Sequence, residues 1–287
     1  MPRQVWLITG ASSGFGALLA EKALQAGHHV IGAARNPTKA ARDYPQIAAL
    51  GGTWLQLDVT SKATKEQVEA AIKDAGGRID VVINNAGYGL LGSIEDISED
   101  ELDTQFQTNV YGVVRVIKAV LPLMRAQRSG TIVNLSSIAG FAAGPSSAAY
   151  SMSKFAVEAL SESLSAELIP FNIRVLLVEP GAFRTNFIRS LRLPAAGLTK
   201  EYEGTPLGTT VAFFDNFAGK QPGDPIKAVE RILDVIQLQG VGEGKGHLLR
   251  LPLGTDCFPR MVAKLDAVRQ NLEEIREIAI STAVDSD

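Results

Sequence analysis

Short apolar, β-branched runs recur along the chain and are separated by stretches whose apolar residues repeat at three- and four-residue spacing. The runs predict strands at Val5–Thr9, His29–Ala34, Thr53–Asp58, Val81–Asn84, Thr131–Ser136, Arg174–Glu179 and His247–Leu251. The intervening periodic stretches predict helices over Gly14–Ala26, Lys62–Ala75, Glu99–Met124, Tyr150–Leu168, Pro225–Gln239 and Thr255–Glu277. Strands that are apolar on both faces and alternate with helices argue for a parallel sheet covered by helices on both sides, an α/β architecture. Two regions break the alternation. Residues 182–223 are too long for an ordinary connection and read as a segment overhanging a site; the region 254–287 reads as a helical extension that packs or contacts a subunit.

With 287 residues, 46% hydrophobic and 21% charged, the composition fits one globular domain of 1–287, and no linker divides it. A net charge of −3 without a basic run gives no footprint for nucleic acid. Cys257 is the single cysteine, so no intrachain disulfide forms, which fits a reducing compartment. Neither a signal-peptide core nor a membrane span is predicted, and the reading is cytoplasmic. His28, His29 and His247 lack metal-ligand spacing, so no metal is expected.

The chemistry is concentrated at a few positions. A turn over Gly10, Ser12, Ser13, Gly14, Phe15 and Gly16 follows the first strand and opens the first helix. Glycines there let backbone approach a pyrophosphate at a helix N-terminus, and the serine hydroxyls add donors. Tyr150 and Lys154, four apart on a helix, share a face, so phenol and ammonium reach one ligand and the cation is expected to lower the phenol's pKa. Ser137 stands upstream with a hydroxyl that can hold a substrate oxygen. At the end of the second strand Arg35 occupies the place where an acidic residue would favour NAD; its fork of donors, with Asn36 beside it and Lys39 near, suits a 2′-phosphate and points to NADP(H).

In this order, with thirteen positions from Ser137 to Tyr150, the set resembles the short-chain dehydrogenase/reductase family over nearly the whole chain. The resemblance implies a doubly wound Rossmann sheet of seven parallel strands. It further implies that Asp58 and Val59 contact adenine, that Asn85, Ala86 and Gly87 line the adenosine ribose and the middle of the cofactor, and that Pro180, Gly181, Phe183 and Thr185 hold the nicotinamide carboxamide. Asn109 would hold a water linking the lysine to solvent, and Lys154 would also bind the nicotinamide ribose. The implied activity is NADP(H)-dependent reduction of a ketone or aldehyde, or oxidation of the alcohol, with Tyr150 as proton donor and a homodimer or homotetramer as the assembly. Aromatic and aliphatic residues in 182–223, including Phe183, Phe187, Leu191, Leu193, Leu198, Tyr202, Phe213, Phe214 and Phe217, lean towards a lipophilic small-molecule substrate. A redox-neutral epimerase or dehydratase, and a non-enzymatic NADP(H)-binding regulator, remain the alternatives.

Overall fold

Seven parallel strands form one twisted sheet in the order β3-β2-β1-β4-β5-β6-β7. The computed structural model describes residues 2–284, so the last three residues of the 254–287 extension lie outside the description. The strands are β1 (Val5–Thr9), β2 (His29–Ala34), β3 (Thr53–Gln56), β4 (Val81–Asn84), β5 (Gly130–Leu135), β6 (Ile173–Pro180) and β7 (Arg250–Leu253). Alternating side chains divide between two cores, as the period of two requires. Leu7, Val82, Ile132, Val175 and Leu177 join one cluster, while Trp6, Ile8, Ile83, Val133, Leu176 and Val178 join the other.

The first cluster is covered by α4 (Thr64–Asp74), α6 (Gly112–Gln127) and α7 (Ala148–Glu167), the second by α1 (Gly14–Gln25) and α9 (Pro225–Gln237). The order reverses between β1, which pairs outward with β2, and β4, which begins the other half. A crevice opens at such a reversal, beyond the carboxyl ends of the strands.

Several boundaries differ from the sequence reading. The last strand starts at Arg250 because two turns precede it, one holding Gly244 at φ of +72° with Lys245 N bonded to Gly242 O, and the next with Leu248 N bonded to Lys245 O. Residues 37–49, left unassigned above, form α2 (Pro37–Asp43) and α3 (Pro45–Ala49). The long helix predicted over Glu99–Met124 is α5 (Glu99–Phe106) and α6 joined by a π-helical turn at Gln107–Tyr111. Within 182–223 lie two short 3₁₀ turns and α8 (Pro206–Phe217). The C-terminal α10 (Cys257–Glu274) buries only Cys257 and Met261, packed with Ile138 beside Phe141 and Ala142, before the short α11 (Arg276–Ile280). No helix among the described residues is long and apolar enough to cross a membrane.

Gly16 tests the junction of β1 and α1. A Cβ there would lie 2.4 Å from Gly10 O and 2.5 Å from Asn85 Nδ2. Gly16→Ala should therefore destabilise by about 2 kcal/mol through overpacking. Gly144→Ala, with nothing within 4 Å of the added atom, should lie near zero. Urea midpoints of the two variants check the contrast.

Candidate active site

Threonine and asparagine side chains tie the end of β1 to the end of β4. Thr9 Oγ1 accepts from Asn85 N at 3.0 Å and Ala86 N at 3.1 Å, while Asn85 Nδ2 donates to the carbonyls of Thr9 and Gly10 at 3.0 and 3.1 Å. Gly10 and Gly14 take φ of +65° and +53°, which a side chain would strain. Gly10 is also closed to a Cβ by Ala86 Cα at 2.9 Å. The chain thus turns sharply into α1 and presents its first N–H groups to the crevice, a setting suited to phosphate. Ser13 is the N-cap without a side-chain bond to the helix, which leaves its hydroxyl free for a ligand.

The crevice is a cleft of about 580 Å³. Its walls include Gly10, Ser12, Ser13, Gly14, Phe15, Arg35, Asp58, Val59, Asn85, Ala86, Gly87, Ser137, Tyr150, Lys154, Pro180, Gly181, Phe183 and Thr185. Three expected residues stand behind the wall. Gly16 packs under the turn. Asn36 spends its carboxamide on α2, where Oδ1 accepts from Lys39 N at 2.8 Å, and the Lys39 ammonium pairs with Asp43 rather than reaching the cleft. Asn109, buried in the π turn, accepts from Tyr88 N at 3.1 Å and donates to Tyr88 O at 2.9 Å and Ser153 Oγ at 3.1 Å. The extra backbone residue of the π turn carries this amide inward, and its polar atoms are occupied by protein.

At the outer end, Arg35 is exposed at the close of β2, and among the described residues it has no carboxylate partner. Burial raises the Asp58 pKa, but two bonds from Thr60 and the charge of Arg35 outweigh it and hold the carboxylate below its ordinary range.

The inner end holds the titrating groups. Ser137 caps a 3₁₀ turn, its Oγ accepting from Ala139 N at 3.1 Å, which fixes the hydroxyl beside Tyr150. Lys154 Nζ donates to Leu135 O at 2.6 Å and lies 5.7 Å from the Tyr150 ring centre. The expected lowering of the Tyr150 pKa by this cation is not what the structure gives. Burial pushes the phenol up to about 12, opposed by the Ser137 hydroxyl, and burial draws Lys154 down to about 8, opposed by Glu158. Desolvation outweighs the pairing because both groups are enclosed.

Of the aromatics in 182–223, Phe183 and Phe187 reach the cleft, packing on Phe15 and Tyr150 with ring centres 5.3 and 5.7 Å apart. Phe213, Phe214 and Phe217 pack on one another within α8 and do not line it. Sequence reasoning missed Arg192, whose guanidinium stacks 4.5 Å over the Tyr88 ring at the mouth; no motif marks it. Among the described residues no cluster of three or more His, Cys, Asp or Glu could hold a metal.

Comparison with known proteins agrees with this geometry. A short chain dehydrogenase family profile matches residues 4–195. Oxidoreductase claN of Passalora fulva is 46% identical over 72% of this chain and 91% of its own length. The 3-ketodihydrosphingosine reductase of Bacteroides thetaiotaomicron is 46% identical over 65% of this chain and 66% of that protein. A short-chain dehydrogenase from Streptomyces avermitilis superposes with a TM-score of 0.88 at 38% identity, covering 98% of this chain and all of that one. Solved neighbours hold either nicotinamide cofactor. A Sphingobium yanoikuyae short-chain dehydrogenase was solved with NADPH (TM-score 0.71, 25% identity, covering 99% and 98%), and a Burkholderia phymatum one, alike in fold, with NAD (0.78, 24%, 96% and 95%).

The buried lysine yields a stability prediction. Lys154 has a folded pKa near 8 against 10.5 for an ordinary lysine, so between these the unfolded chain binds more protons and stability rises with pH. Relative to Lys154→Met, the native protein should gain roughly 2 kcal/mol between about pH 8 and pH 10. Comparing the two proteins cancels other groups that titrate in this range, and denaturant melts at each pH measure the difference.

Proposed function

The chain belongs to the short-chain dehydrogenase family and is an oxidoreductase of that kind; from this premise we propose that it is an NADP(H)-dependent carbonyl reductase acting on a lipophilic ketone or aldehyde. The observation that carries the reading is a single cleft with a glycine turn for a phosphate at one end and Ser137, Tyr150 and Lys154 together at the other. The walls fit a dinucleotide, since the positive φ of Gly10 and Gly14 turns the backbone sharply into α1, whose first N–H groups face the cleft. Arg35 would take the 2′-phosphate, Asp58 and Val59 the adenine end, and Thr185 the carboxamide.

When bound, NADPH supplies the hydride that goes to the carbonyl carbon. Ser137 and Tyr150 hold the carbonyl oxygen, and Tyr150 gives it the phenol proton. A phenol held at about 12 keeps that proton at neutral pH, which suits the reductive direction. The Lys154 ammonium, charged below about pH 8, stabilises the phenolate left behind. Asn109 supports the site by fixing the Tyr88 backbone rather than by contact with the reacting atoms. Phe187 offers an apolar wall beside Tyr150. The relative named as a reductase of a keto sphingoid base supports a lipophilic substrate. NADPH oxidation followed by absorbance against a panel of carbonyls, with NADH in parallel, tests the reading.

Arg35→Asp should reverse the cofactor preference. The native protein is expected to bind NADPH at least about tenfold tighter than NADH, roughly 1.4 kcal/mol. Equal dissociation constants by fluorescence titration would remove the assignment.

Tyr150→Phe keeps ring volume and Lys154 but deletes the proton. Turnover should fall by a factor on the order of 10² to 10⁴, with NADPH affinity little changed. Retained turnover on a verified substrate would rule Tyr150 out as the donor.

A further inference from the structure

On the side of Lys154 away from the cleft, α7, β6 and β7 enclose charges that the reaction above does not use. Glu158 follows Lys154 by one helical turn, with its side chain 6% exposed, and Glu179 on β6 is fully buried. The Arg250 guanidinium pairs with both and also with Glu162, whose side chain is 60% exposed. The set is joined to Lys154 through Gly140. A Cβ at that glycine would lie 2.6 Å from Ser136 Oγ, 3.0 Å from Lys154 Cβ and 3.2 Å from Glu158 Cγ.

Glu158 Oε1, Glu179 Oε2 and Ser136 Oγ are buried without a hydrogen-bond partner among the described residues. Glu158 and Glu179 share the one Arg250 guanidinium, on which the exposed Glu162 also draws. Two enclosed carboxylates on one guanidinium do not both ionise at low cost. One proton between Glu158 and Glu179 relieves the repulsion of the two buried carboxylates and supplies a donor to oxygens that lack one.

We propose that Glu158 and Glu179 hold one proton between them under the Arg250 guanidinium, and that this pair sets the charge on Lys154, making both glutamates positioning residues for the proton donor. The proposal rests on the role given to Lys154 above. Burial raises both carboxyl pKa values, Glu179 to about 7, while Glu158 is the charge that opposes the lowering of Lys154. The other groups facing the pair are few. Glu162 from α7 shares Arg250 with them and Ser136 at the end of β5 neighbours Glu158, while Tyr150, with Ser137 beside it, lies on the cleft side of Lys154. From the start of α10 come Cys257, whose Sγ donates to Glu179 O at 3.1 Å, Asp256, which accepts from Ala182 N at 2.9 Å, and Arg260, which donates to Ala142 O at 3.1 Å.

The test reads Lys154 directly. In protein carrying ¹³C-labelled lysine, the resonance that disappears in Lys154→Arg is titrated by NMR. Its native midpoint should lie near 8. Glu158→Gln removes the nearest negative charge and should lower the midpoint by about one pH unit, whereas Glu179→Gln leaves Glu158 ionised full-time and should raise it by a similar amount. Loss of a purely structural contact would not split the two in opposite directions. A common direction, or no movement, overturns the proposal. Should Glu158→Gln not fold, as its spectrum would show, Glu179→Gln decides alone, and an unchanged or lower midpoint overturns it. The alkaline limb of NADPH-driven carbonyl reduction in the same variants separates the two claims. Midpoints that part while this limb stays fixed would refute the role of Lys154 in the reaction and leave the shared proton standing.

Discussion

An ammonium group taken out of water is costly unless something replaces its hydration, and the inner half of the cleft is organised around the one at Lys154. Its Nζ is held by the Leu135 carbonyl at the end of β5, one residue beyond the last pairing with β4. That single bond sets the distance between the cation and the Tyr150 ring. Tyr150, Lys154 and Glu158 follow one another at four-residue spacing on one face of α7, whose Val157 and Leu164 pack on the sheet. Ser153, next in line, turns its hydroxyl away to bond Asn109 and the Tyr150 carbonyl. The π turn in the neighbouring helix is thereby keyed to the same register.

The two ends of the cleft are built from different materials. At the outer end the work falls to backbone: glycines at positive φ, exposed N–H groups, and an asparagine whose amide is spent on holding two strand ends together. A phosphate can be bound by dipoles alone, so little side-chain charge is required beyond Arg35. At the inner end the work falls to buried ionisable groups, whose protonation is set by desolvation first and by neighbours second. In the proposed function, selection of the cofactor and transfer of a proton would be physically separable, because Arg35 and Tyr150 lie at opposite ends of one crevice.

Much of this was legible in the sequence, for a definite reason. Strands buried on both faces read as unbroken apolar runs, so β1, β2 and β4 coincide with the runs at Val5–Thr9, His29–Ala34 and Val81–Asn84. The glycine turn and the Tyr150–Lys154 spacing are local, and local spacing survives folding. What escaped depends on contacts distant in sequence. Arg250 meets Glu158 and Glu179 only because β7 lies beside β6, so no spacing announces the network. The π turn at Asn109 is invisible to a helical period, and Asn36 reads as a ligand until the helix it caps is seen. The direction of the Tyr150 pKa was misread because proximity of a cation is visible in sequence and depth of burial is not.

The C-terminal extension also divides in a way that spacing could not show. Its first residues belong to the floor of the site. Asp256 stands where a Cβ on Gly181 would be, 2.3 Å from its Oδ1, and accepts from Ala182 N, so it fixes the backbone that leads from β6 to Phe183 and Thr185. Cys257 is tied to the Glu179 carbonyl one step earlier. A glycine at 181 is therefore required by the carboxylate and not by a backbone angle, since its φ is not positive. Beyond Met261 the same helix carries Leu265 and Leu272 exposed to solvent and contributes nothing to the cleft. Substitutions at Asp256 act on the segment whose Phe187 packs on Tyr150, whereas those past Met261 act on a surface.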